Sequence, residues 1–79
     1  MKIEFKQVGT VDAIYVDDTK VNGVVVGLKM IKDALKSKLI TPAALDATRK
    51  NLRQKLADAN LKPMIVTAVM AEFEKNLKD

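Results

Sequence analysis

The stretch Thr19-Lys20-Val21-Asn22-Gly23-Val24-Val25-Val26-Gly27 decides how this 79-residue chain divides between sheet and helix. It supports two readings. Asn22-Gly23 is a strong type I′ turn signal, after which Val24-Val25-Val26 forms a short third strand. In the other reading, Val21, Val24, Val25, Leu28, Ile31 and Leu35 fall on one helical face, with Asp18 as a cap. Gly23 and Gly27 would each weaken that helix by up to ~1 kcal/mol relative to Ala. The glycines favour a turn at Asn22-Gly23 and a first helix that begins between Val24 and Gly27.

Upstream of this stretch the pattern is that of strands. Lys2-Ile3-Glu4-Phe5-Lys6 alternates strictly and puts Ile3 and Phe5 on one face. Gly9-Thr10 punctuates. Val11-Asp12-Ala13-Ile14-Tyr15-Val16-Asp17 is rich in β-branched and aromatic residues and suits a second strand, paired to the first through a hairpin. Asp17-Asp18-Thr19-Lys20 then reads as a turn, because Asp and Thr side chains satisfy nearby backbone groups.

Downstream the period becomes helical. Leu28, Ile31, Leu35 and Leu39 form one stripe, and Lys29, Lys32 and Lys36 another. Thr41 can cap a second helix that starts at Pro42 and runs to about Ala59, with Leu45, Leu52 and Leu56 as its apolar stripe. Asn60 is a C-terminal stop. Pro63 opens a third helix whose apolar residues are Ile65, Val66, Val69, Met70, Phe73 and Leu77. The expected fold is α+β: an N-terminal β-hairpin of two or three strands packed on a three-helix C-terminal part. The chain reads as a single domain, 1–79, with 1–26 β-rich and 27–79 helical. The expected core is Ile3, Phe5, Ile14, Val16, Leu28, Ile31, Leu35, Leu45, Leu52, Leu56, Val66, Val69, Phe73 and Leu77.

Residues 35–52 carry Leu35, Leu39-Ile40-Thr41, Leu45, Arg49 and Leu52 in a spacing that resembles the SHOCT motif, a short helical hairpin found at the ends of bacterial proteins. Lys38 stands where that family usually has Gly, and Ala44-Leu45 replaces its acidic-aromatic pair. The resemblance implies a small interaction or oligomerisation module and no chemistry.

Composition narrows the function classes. The chain has no His, Cys or Trp. That removes the usual proton shuttle near neutral pH, the soft metal ligands and the thiol nucleophile. Ser37 is the only serine and lies outside any nucleophile-elbow pattern. The two glycines of residues 21–27 lack the lysine and hydroxyl residue of a phosphate-binding loop. Asp17-Asp18 lack the spacing of a calcium loop and fit turn chemistry. Glu72 and Glu74 point to different helix faces and read as solvated. No enzyme activity, metal or other cofactor is expected. No apolar run approaches the ~20 residues of a membrane span, so the expectation is a cytoplasmic protein without membrane contact.

Charge is more informative. The net charge is +4, and residues 27–79 hold eleven Lys/Arg against six Asp/Glu. Lys29, Lys32 and Lys36 on the first helix and Arg49, Lys50 and Arg53 on the second are the candidate macromolecule-binding residues. Their expected target is an acidic protein surface, with nucleic acid as the second choice. Arg49 and Arg53 lead, because a guanidinium fork grips a carboxylate or phosphate in two places. The leading function is therefore a small non-enzymatic binding or regulatory protein that occupies a surface on a protein or protein–nucleic acid complex. The alternative is a structural or oligomerisation module, a homodimer formed through Ile65, Val69 and Met70 on the third helix; a dimer abolished by Val69→Asp would support it. A phage-type inhibitor of a host complex also fits a small chain without catalytic groups.

Overall fold

In the computed structural model, which describes residues 1–78, a three-stranded antiparallel meander precedes three helices. The strands are β1 (Ile3–Val8), β2 (Val11–Val16) and β3 (Thr19–Val26), in the order β1-β2-β3. The helices are α1 (Leu28–Lys36), α2 (Pro42–Asp58) and α3 (Pro63–Leu77). The α+β expectation therefore holds, with three strands rather than two. No described helix is long and apolar enough to cross a membrane.

Both hairpins close on two residues. Val8 pairs with Val11 around Gly9-Thr10, and Val16 pairs with Thr19 around Asp17-Asp18. Asp17 and Asp18 both have positive φ, 48° and 68°. A type I′ turn demands this at both central positions, and Asp tolerates it better than most residues. The turn is pinned to the start of β1. The Lys2 backbone N–H donates to Asp17 Oδ1 at 2.8 Å, and Lys2 Nζ donates to Asp18 Oδ1 at 3.2 Å.

The deciding stretch is strand, as one of its two readings has it for Val24-Val25-Val26, but without the turn that reading places before them. Asn22-Gly23 is not a turn between elements, and the first helix starts only at Leu28, with Gly27 as its N-cap. β3 runs unbroken from Thr19 to Val26 but carries a wide bulge. Tyr15 pairs with Lys20 while Ala13 pairs with Val25, so Val21 through Val24 stand opposite Ile14 alone. Gly23, at φ +78°, supplies the left-handed residue that the detour needs. The consequence is a change of phase. Val21 and Val24 both point inward although they are three residues apart, and Val26 follows two later. A spacing of three is the mark of a helix, and here a bulge produces it.

The core lies between one face of the sheet and the helices. Ile14, Leu56, Val69 and Phe73 are fully enclosed, and Val21, Val24, Val26, Leu28, Leu52, Val66 and Met70 complete the cluster. Ile3, Phe5, Val16, Ile31 and Leu77 pack on it from the margin, half-buried. Leu35 and Leu45 are also half-buried. The three valines of β3 were absent from the expected core, because that reading assigned their stretch to a turn. α3 is the hub: it lies against α2, α1 and β1, while no Cα of α1 comes within 8 Å of a Cα of α2 among the described residues.

Helix ends follow the local chemistry. Thr41 Oγ1 accepts from the Ala44 N–H at 3.1 Å, and Pro42 and Pro63 occupy first-turn positions. α1 ends in a Schellman motif: the Leu39 N–H donates to the Ala34 carbonyl at 2.8 Å and the Lys38 N–H to that of Leu35 at 3.2 Å. This ending swings Leu39 out of the apolar stripe and leaves it 81% exposed. It also forces Lys38 to φ +56°, a position that favours glycine. Lys38→Gly is therefore expected to raise stability by about 1 kcal/mol, read as a higher urea midpoint with an unchanged m-value.

Candidate functional site

α2 and α3 lie side by side, and a groove of about 360 Å³ runs between them, lined by Arg49, Lys50, Arg53, Thr67, Met70, Ala71 and Glu74. It draws from both candidate surfaces of the sequence, since Arg49, Lys50 and Arg53 come from the basic face and Met70 from the apolar helix. Helical spacing explains the first set. Arg49 and Arg53 are one turn apart, and Lys50 extends their flank toward solvent.

The three cations do not play the same part. Arg49 Nε donates to Glu74 Oε2 at 2.6 Å and its Nη2 to Glu74 Oε1 at 2.9 Å, a two-pronged bond across the helix pair. Its remaining arm, Nη1, donates to Asp46 Oδ1 at 2.7 Å. The Glu74 hydrogen bonds, joined by the Asp46 bond and both carboxylate charges, raise the guanidinium pKa above its already high ordinary value. Arg49 is thus a tie between α2 and α3, with its charge met twice over. Lys50 and Arg53 differ. Both are exposed, and neither forms an ion pair within the described residues.

Glu74 is accordingly not the solvated carboxylate its sequence position suggests. It is half-buried and holds Arg49 from 25 residues away. Thr67 and Ala71 of the groove were also missed. Nothing in their local pattern marks them, because the groove exists only once two helices dock.

Lys29, Lys32 and Lys36 do not join this site. None of them lines the groove, and α1 turns Ile31 toward α2 instead. Ile31 shares a cavity of about 200 Å³ with Thr48, Asn51, Leu52 and Lys55, on the flank of α2 away from Arg53. The lysines of α1 therefore lie outside the groove that Arg49, Lys50 and Arg53 line, on a separate helix surface.

The proposed dimer face is inward. Val69 has no exposed surface, Met70 keeps 7%, and Ile65 is half-buried against the core. The structure spends these side chains within the protomer; Met64, in the first turn of α3, is left 76% exposed. A third cavity of about 380 Å³ lies beside the second hairpin, between Val16, Thr19, Lys20, Val21 and Asn22 on the sheet and Ala59 and Leu61 after α2. Among the described residues no three metal-ligating side chains converge. No family model, curated protein or solved structure matches the chain.

Proposed function

We propose that this is a small non-enzymatic binding protein that occupies an acidic surface of a protein partner through the α2–α3 groove. One observation carries the reading: Lys50 and Arg53 stand as exposed cations, without an ion pair among the described residues, beside an apolar floor that includes Met70 and Ala71. Such a site suits a side chain with a carboxylate next to an apolar group. A phosphate backbone fits less well, because Glu74 and Asp46, which hold Arg49 at the groove, repel a continuous line of negative charge. Binding of this kind acts by occlusion, which suits a regulator or inhibitor and needs no reacting group.

The test is capture of partners from a nuclease-treated native lysate, comparing the wild type with Lys50→Glu/Arg53→Glu. A protein retained by the wild type should be recovered at least about tenfold less by the double variant, and its retention should fall as salt rises. Lys29→Glu/Lys32→Glu/Lys36→Glu, on the separate surface, should leave recovery unchanged. Equal recovery by the double variant, or a partner lost on nuclease treatment, would overturn the reading.

A further inference from the structure

We infer that β1 is a self-complementary edge strand through which two copies of this chain pair into one continuous six-stranded sheet. The meander has two edges, and they are not equivalent. β3 is interrupted by its bulge, the device that stops a strand from templating another. β1 is regular from Ile3 to Val8, with no proline and an unshifted register against β2.

The hydrogen-bond phase of β1 follows from its ends. The Asp17 N–H donates to the Lys2 carbonyl at 2.8 Å, so Lys2 faces β2 with its backbone groups. In an antiparallel ladder this property alternates. Glu4, Lys6 and Val8 therefore also bond to β2, and Val8 does so as the residue flanking a two-residue turn. Ile3, Phe5 and Gln7 direct their N–H and C=O groups away from the sheet, and none of these groups has a backbone partner beyond the strands among the described residues.

The side chains then choose the partner and the register. On the outer face of the sheet, free of helices, β1 presents Glu4 and Lys6. In antiparallel pairing centred on Phe5, Glu4 of each copy lies opposite Lys6 of the other, twice by symmetry. Sliding the partner by two residues in either direction sets Glu4 against Glu4 or Lys6 against Lys6. Sliding by one turns the apolar face outward. Only the Phe5-centred register therefore joins the unpaired backbone groups of Ile3, Phe5 and Gln7 with matched charge.

Both charged residues are held at this edge by neighbours within the chain. Lys6 is held on the outer face by the Tyr15 ring, with Nζ 4.4 Å from its centroid. Oε1 of Glu4 is enclosed without a hydrogen-bond partner, and the carboxylate forms an ion pair with Lys2 Nζ at 3.5 Å. On the inner face, the half-buried Ile3 and Phe5 of both copies meet across the new seam. Since β3 cannot extend the sheet, the assembly closes at two copies.

Sedimentation equilibrium on the purified chain tests this, at concentrations on the order of 1 µM to 1 mM. The weight-average mass should rise from 8.7 kDa toward twice that value. Glu4→Lys and Lys6→Glu, each setting like charges opposite one another twice, should weaken association by at least about tenfold. The swapped variant Glu4→Lys/Lys6→Glu restores opposite pairs and should associate as the wild type does. Circular dichroism on each variant checks that the protomer stays folded. A mass fixed at 8.7 kDa throughout would overturn the inference. So would a folded swap variant that remains monomeric, or wild-type association that Glu4→Lys leaves intact.

Discussion

Val69→Asp is expected to unfold this protein rather than to dissociate it. Val69 is fully enclosed, on the face of α3 that meets Phe73, Leu56 and Ile14 in the core. Removing a buried valine forfeits about 1.5–3 kcal/mol of apolar burial. Placing a carboxyl group in the same space without a hydrogen-bond partner costs about 2–7 kcal/mol more. A chain of this size has a total stability of roughly 4–12 kcal/mol, so the two penalties together consume most or all of it. Far-UV circular dichroism should show loss of the native signal at neutral pH. Sedimentation should show an expanded or aggregated species. A folded, compact monomer carrying Val69→Asp would place Val69 at an interface after all and would contradict its burial.

Phe73→Ala is the second large effect, expected at about 3–5 kcal/mol. Phe73 is the largest of the four fully enclosed side chains. For a domain of this size each kcal/mol shifts the melting midpoint by about 4–8 °C. The variant should therefore melt at least ~12 °C below the wild type, with the urea midpoint lowered in step. Phe73→Leu, which keeps most of the volume, should cost much less. Equal losses for the two variants would show that ring shape rather than cavity size governs the site.

The fold was readable wherever chemistry is local. Thr41-Pro42, Pro63 and Asn60 announce the helix boundaries because caps and breakers act within one turn of the chain. Asp17-Asp18 announces its turn for the same reason. The bulge in β3 was not readable. Its cause is the need to aim Val21, Val24 and Val26 at one core, and that core is built from helices far along the chain. The spacing it leaves in the sequence matches a helical face, and Asn22-Gly23 at its centre matches a hairpin turn.

The candidate site divides along the same line. Arg49, Lys50 and Arg53 were visible as cations on one face of α2. Their different roles were not, because Glu74 reaches Arg49 only after α3 has docked. The lysines of α1 looked like an extension of that face. They are not, since the helix lying against both α1 and α2 is α3.

That central position of α3 bears on how the protein is made. Translation is directional, and α3 is the last of the six elements to be synthesised. The meander, α1 and α2 all leave the ribosome before α3, against which β1, α1 and α2 each pack. Neither helix can finish its core against the other, since their Cα atoms stay more than 8 Å apart and α3 supplies Val66, Val69, Met70 and Phe73 to the shared core. Closure of the core must therefore wait until Phe73 has cleared the exit tunnel. Until that moment the nascent chain exposes the valines of β3, and any chaperone that protects it has those residues to hold.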